Sequence, residues 1–490
     1  MTSLSQKVLL NTMALGGSRM LRSVFGVVSL ALSARYLGLG QFGALVTASA
    51  FAAVVGGMTD LGISTIGARE LASRPGESKR IVGSLLPLAF VLSTVGLVVG
   101  VALTFLIYGG QARAELREGI AVLLFIGWLL AAPGLVIGCY FTSQQKAYLA
   151  AFASFVGSVT SVVLVVVVIA LDGGFLGIVL AYGFSGIGFG LTMLVLSIGR
   201  VRLRPSFDVA HMGQLFRSAL PLGGAIILGA LYWKIDIILL SLLGSQKDVA
   251  IYGVAFKFVD ILVTLPDYVM ITLLPEFARV ADRRERLNEV MGKALAVVQV
   301  AVVPLVVLSL VFADEIVEAV GGAKYGGAAA LVRILMLGVA LAYISIVFFQ
   351  GIIALRRQKL LFYASLAVVA MNIVLNLLFI PAWGARGAAI AFVSSEMATL
   401  AVLLLVYRRL AAVPRLHRFG SVIVAGAAAA LVGLVKLLPL AAEVSPIVVL
   451  VLGGLVGLGV YIGTLYALDA MPRELHTAIT LPVWAKLKKR

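Results

Sequence analysis

Apolar stretches long enough to cross a lipid bilayer recur along the whole chain, and no other feature limits its folding so strongly. A hydrocarbon core ~30 Å thick takes about 20 residues of helix. On that basis fourteen spans are predicted, near residues 11–36, 42–66, 81–108, 119–141, 148–171, 175–199, 218–243, 249–275, 294–312, 328–354, 360–380, 387–407, 419–438 and 446–468. Composition agrees: 61% of the 490 residues are hydrophobic and 12% charged, against about 25% charged in a soluble domain. The mean hydropathy is +1.10. The chain is therefore predicted to be an all-α polytopic membrane protein with about 14 transmembrane helices.

The formal charge of +17 invites a nucleic-acid partner, but its distribution has a simpler cause. With the N-terminus inside, one set of loops holds most of the arginine and lysine, including Arg69, Arg74, Lys79 and Arg80, then Arg200, Arg202 and Arg204, then Arg356, Arg357 and Lys359. The opposite loops hold only Arg113, Arg117, Lys247, Lys324 and Arg386. This is the positive-inside bias, and it places both termini in the cytoplasm of a multi-pass inner-membrane protein. No basic cluster sits on a soluble domain of the kind nucleic-acid binding uses, and the tail WAKLKKR suits anionic lipid. The single cysteine, Cys139, falls within a span and founds no disulfide framework. No cleavable leader is expected at the start of the chain.

Two internal matches point to a duplication. GCYFTSQQK, 138–146, shares its glycine, glutamine and lysine with GIIALRRQK, 351–359, at an offset of 213. GFLGIVLAYGFS, 174–185, shares Gly174/Gly384, Gly177/Gly387, Ala181/Ala391 and Ser185/Ser395 with GARGAAIAFVSS, 384–395, at an offset of 210. Such an offset covers six helices, an even number, so the halves keep one membrane orientation. They form two parallel six-helix bundles, related by a pseudo-twofold axis along the membrane normal, an architecture in which transporters run the substrate path between halves. The expected organisation is a bundle over 8–199, a basic linker over 200–217, a second bundle over 218–410, an additional helix pair within 411–468 and a basic tail over 469–490.

LSARYLGLGQFG, 32–43, followed by TDLGISTIGARELA, 59–72, resembles the opening of the polysaccharide-transporter (Wzx-type flippase) branch of the multidrug/oligosaccharidyl-lipid/polysaccharide exporter superfamily. KIDIILLSLLG, 234–244, and the stretch 251–280 with Pro275 near its end resemble the same family in the second half. The resemblance implies flipping of a polyprenyl-diphosphate-linked oligosaccharide, a polysaccharide repeat unit, by alternating access. It also implies work alongside polysaccharide polymerase machinery. A diphosphate calls for arginine or lysine on its path.

Charges inside the spans can be weighed on that basis, since each is costly in hydrocarbon and marks a functional candidate. Arg19 and Arg22, at i, i+3 on helix one, either meet the diphosphate or snorkel to the cytoplasmic headgroups. Lys257, Asp260, Thr264 and Asp267 fall on one stripe of helix eight, with Asp260 ~17 Å deep. Lys234 and Asp236 lie well inside helix seven and, two residues apart, do not face each other. One arrangement pairs Lys234 with Asp260 or Asp267 and Asp236 with Lys257, either as structural ion pairs or as cavity groups. Arg19, Arg22, Lys234 and Lys257 are thus the substrate-binding candidates, and Asp60, Asp236, Asp260, Asp267 and Glu396 the coupling or ion-pair candidates. Gln299, Gln350, Asn372 and Asn376 are polar candidates that interhelical hydrogen bonds would equally explain. No cofactor is expected beyond a proton or sodium ion as coupling ion.

Enzymatic readings find little to stand on. His211, His417 and His476 fall outside the spans, and neither an HExxH motif nor a GxxxxGK[ST] phosphate loop occurs. A membrane glycan ligase or polymerase would need a large outer loop, which the spans leave no room for. Within the same fold, a cation-coupled multidrug exporter is the alternative, and the mixed charge set disfavours it.

Overall fold

The computed structural model describes residues 21–110, 113–411, 413–414, 419–437 and 445–472, with the side chains of 267–269, 271–272, 274–275, 278, 419 and 435–437 outside the description. Arg19 lies outside the described residues. The described chain is nearly all helix. Among the described residues ten helices are long and apolar enough to cross a membrane, or eleven counting α5 (Ala114–Leu129) and α6 (Ala131–Ser143) as one span bent by 49°. Every predicted span falls wholly or partly on helix, though not one to one. The first is described only over 21–36, as α1, and the thirteenth coincides with a shorter helix, α16 (Phe419–Leu431). Predicted spans eleven and twelve share one element, α15 (Gln358–Leu410). Outward-facing Val91, Val95 and Val98 on α4 (Ser78–Ile107) and Leu452 and Leu455 on the last helix, α17 (Pro446–Ala467), are half exposed or more. Such a surface suits acyl chains and not water.

By internal packing the chain falls into two units, 1–250 and 251–490. In the first unit α2 (Leu39–Asp60) packs on α4, α5 and α9 (Val209–Leu243), and α7 (Ala147–Ala170) packs on α8 (Gly174–Ser197). In the second, α14 (Ala328–Ala354) packs on α15 and on α12 (Arg284–Val311), while α16 packs on α17. Packing thus groups α9 with the helices before it.

The turn between α6 and α7 places Gln145 at φ 56°, and the turn between α14 and α15 places Arg356 at φ 57°. Lys146 N donates to Phe141 O at 2.8 Å and Arg357 N to Ile352 O at 3.2 Å, while Gln145 N donates to Thr142 O and Arg356 N to Ile353 O. The same pair of bonds closes the helices ending near Asp172 (φ 49°) and Asp469 (φ 47°), a common helix C-terminal motif, so these turns stop helices and carry no register between the halves. Gly174 (φ 63°) and Gly384 (φ 55°), matched in sequence at an offset of 210, both take positive φ.

Gly384 decides the form of α15. As one straight helix, residues 372 and 395 would stand about 34 Å apart; instead Asn372 Nδ2 donates to Ser395 Oγ at 3.1 Å. The chain folds back at Gly384, whose ψ of −130° at φ 55° is a conformation almost confined to glycine.

On the end of the first unit that holds α4's start, the non-helical segment 201–208 crosses α4. Ser206 N donates to Gly83 O at 2.9 Å, and a Cβ at Gly83 would lie 2.9 Å from Ser206 Cβ. Asp208 caps α9 by accepting from His211 N, and it holds Arg80 at 2.8 Å. That guanidinium keeps the Asp208 carboxyl below the usual carboxylate range. His211, 6% exposed, places Nδ1 3.0 Å from Ser84 Oγ. Arg80, Gly83 and Ser84 recur at three and four residues, so one face of α4 holds the whole segment.

Gly384→Ala is expected to cost about 2 kcal/mol of stability, read as a lower melting temperature of the purified protein. Gly174→Ala, at an ordinary left-handed φ with nothing within 4 Å of its Cβ position, should cost about half that.

Candidate functional site

In the first unit the helix break at Leu61–Gly62 determines what Asp60 does. Leu61 (φ 42°) and Gly62 (φ 76°) end α2 and start α3 (Ile63–Ser73). A Cβ at Gly62 would stand 3.1 Å from Gly223 N and 3.2 Å from Ala219 O on α9, so only glycine permits this approach. The break leaves α3 with orphan amides. Asp60 supplies the cap, its carboxylate accepting from Ser64 N at 3.0 Å and Ser64 Oγ at 2.9 Å. Its carboxylate is thus tied to the backbone of the break.

On α9, Asp236 is 3% exposed within the buried run Ile235–Ile238, while Lys234 is half-buried. Towards the end of the same helix, Ser241 Oγ lies 2.8 Å from Tyr108 Oη, and Arg113 Nη2 donates to Leu242 O at 3.3 Å. Arg22 is exposed in the first described turn of α1. Farther along α1, Ser29 donates to Ser161 and Ser33 to Tyr182, which ties α1 to α7 and α8 through hydroxyls.

The second unit corrects the predicted helix-eight stripe. Lys257 and Asp260 are half-buried on α10 (Gln246–Val263), but Thr264 stands at a break and Asp267 belongs to α11 (Leu265–Val280). Pro266 is the physical cause: it has no N–H to donate, and its ring excludes the carbonyl of Leu262 from helical bonding. Tyr343 Oη on α14 donates to that freed carbonyl at 2.7 Å. In lipid such a carbonyl must find a partner. Nothing in the local sequence links Tyr343 to Pro266, so sequence reasoning missed it. The side chain of Asp267 lies outside the described residues. Lys234 and Asp236 stand in the first unit, Lys257, Asp260 and Glu396 in the second.

The densest buried polar set of the second unit lies within α15. Asn372, Asn376, Ser395 and Glu396 are each at most 3% exposed. Asn376 Nδ2 donates to Asn372 O at 2.9 Å and to its Oδ1 at 3.3 Å, and Asn372 in turn donates to Ser395. Two linked carboxamides and a hydroxyl thus satisfy one another inside the unit, and Glu396 is a buried carboxylate one residue after Ser395. Gln299 is buried on α12, and Gln350 on α14 keeps a buried Oε1 without a partner among the described residues. No group of three or more His, Cys, Asp or Glu side chains that could hold a metal occurs among the described residues. An apolar groove of about 500 Å³, lined by Val300, Pro304, Leu308, Leu450 and Tyr461 among others, runs between α12 and α17. With no charged residue in its lining it can take hydrocarbon but not a diphosphate.

Broken apolar helices and buried polar sets within each unit define a polytopic α-helical membrane protein. Among solved structures the fold is similar to the lipid II flippase MurJ in an inward closed conformation, with a TM-score of 0.77 at 14% identity over 92% of this chain and 97% of that one. It is also similar to an inward-facing multidrug resistance transporter of the MATE family, with a TM-score of 0.68 at 17% identity over 79% and 94%. More narrowly, the chain belongs to the polysaccharide biosynthesis protein family, whose model matches residues 32–331. It is 23% identical over 372 residues, 73% of its length and 74% of the relative's, to the probable low-salt glycan biosynthesis flippase Agl15 of Haloferax volcanii.

Tyr343→Phe should leave the Leu262 carbonyl unsatisfied and lower stability by about 1–3 kcal/mol. Restoring the lost helical donor with Pro266→Ala in the same chain should recover part of that loss, measured by thermal unfolding of single and double variants.

Proposed function

We propose that the protein flips a polyprenyl-diphosphate-linked oligosaccharide across the cytoplasmic membrane by alternating access, delivering repeat units to polysaccharide polymerase machinery. The observation that carries this reading is membership of a polysaccharide biosynthesis family with a glycan flippase among its relatives. The charge bias of the loops supports an inner-membrane location with both termini in the cytoplasm. In this reading Arg19, Arg22, Lys234 and Lys257 serve the diphosphate. The prenyl chain stays in hydrocarbon, and the protein moves its cargo without breaking a covalent bond.

Glu396 is our choice as the coupling carboxylate, taking up a proton or sodium ion. A buried carboxylate costs several kcal/mol if charged and alone, so a 3% exposed glutamate in a membrane-crossing helix is the kind of group whose charge a bound ion would set. Asp60 caps a helix, so a coupling role there would have to compete with its backbone bonds. Asp236, Asp260 and Asp267 balance the charge of Lys234 and Lys257 while no substrate is bound.

Mass spectrometry of lipid-linked glycans in cells with and without the gene provides the test. A complete lipid-linked repeat unit should accumulate and surface polymer should disappear, both reversed by a wild-type copy. Unchanged lipid and polymer pools in a strain lacking a redundant homologue would overturn the reading and favour drug export. Glu396→Gln should keep expression and melting temperature while lowering export at least tenfold. Export that stayed at wild-type level and kept its dependence on the proton or sodium gradient would remove Glu396 from coupling.

A further inference from the structure

The segment linking α8 to α9 alternates with a period of two. Val201 and Leu203 turn inward onto the apolar clusters formed by α3, α4, α6 and α8, whereas Arg200, Arg202 and Arg204 are exposed. Exposure alternates along this short stretch, which packs Val201 and Leu203 on the first unit and leaves the three arginine side chains exposed. Its position is fixed at several points: Ser206 to Gly83, Asp208 to Arg80, and His211 beside Ser84. The arginines are therefore displayed from a held backbone.

Two further features distinguish this face from an ordinary solvated loop. Ile198, Phe207 and Val209 flank the arginines at 75%, 74% and 77% exposure, an apolar rim that water would disfavour. None of the three arginines has a carboxylate partner among the described residues; Arg200 donates to Leu196 O, and the nearby Asp208 is engaged by Arg80. Basic groups set among apolar ones, at the ends of two membrane-crossing helices, are the chemistry of an element lying in the headgroup layer. Guanidinium forks match phosphate oxygens there in a two-point fashion.

The geometry points to an anionic phospholipid docking face over 198–209, on which Arg200, Arg202 and Arg204 bind headgroup phosphates while Phe207, Val209 and Ile198 enter the acyl boundary. The face lies on the cytoplasmic leaflet under the orientation proposed above. Its occupant is bulk anionic phospholipid, and its test reads lipid preference, which would persist if the glycan reading failed.

The full chain would be placed in nanodiscs of phosphatidylcholine with a graded fraction of phosphatidylglycerol, and retained lipids counted by native mass spectrometry. Wild type should enrich phosphatidylglycerol. R200Q/R202Q/R204Q should lower that enrichment roughly tenfold, within the limit of about fivefold for each basic residue at an anionic surface. R200K/R202K/R204K should retain most of it and guards against a folding defect. R356Q/R357Q/K359Q, which removes the same charge from another turn of the same topological side, should lower it less than threefold by this proposal. Equal losses in the two glutamine variants, or no enrichment in wild type, would overturn the docking face. Capture of an acidic protein or nucleic acid by wild type without lipid preference would overturn it too.

Discussion

Within hydrocarbon every backbone amide and carbonyl must find its partner inside the protein, since no water is available to take a failed bond. A continuous helix meets this demand automatically, so the informative places are the breaks. At Leu61–Gly62 the free end of α3 is met by the Asp60 carboxylate. At Pro266 the displaced Leu262 carbonyl is met by Tyr343 from another helix. The α2–α3 and α10–α11 breaks are thus repaired differently, once with a local cap and once with a tertiary donor. The local cap commits Asp60, a carboxylate that a reading of the sequence alone counts as a coupling candidate.

The same economy applies to buried charge. Asp236 and Glu396 are both 3% exposed, each on a helix that is otherwise largely apolar. The linked carboxamides of Asn372 and Asn376 reach Ser395 because α15 reverses at Gly384 and lays 372–376 against 395. A backbone conformation at one glycine therefore assembles the most polar interior of the second unit.

Much of this molecule was legible beforehand. The positions of the helices followed from hydropathy, because a span needs about 20 apolar residues wherever it lies. Glycine spacing points to a duplication, and the matched glycines Gly174 and Gly384 both take positive φ. Glu396, Asn372 and Asn376 were picked out as polar residues in apolar helices, a signal the sequence carries directly. The stripe from Lys257 to Asp267 is divided between α10 and α11, since Pro266 interrupts the helix there.

By itself the sequence determined that this chain crosses a membrane many times, which loops carry the positive charge, and to which family it belongs. These properties are sums over neighbouring residues or matches along the chain. Only the tertiary structure decided that Tyr343 serves Leu262, that Asn372 reaches Ser395, that Asp60 caps a helix and that His211 is buried against Ser84. Those contacts join residues by distance in space, and the distances depend on a few backbone angles, at Gly62 and Gly384 above all, whose values hydropathy does not encode.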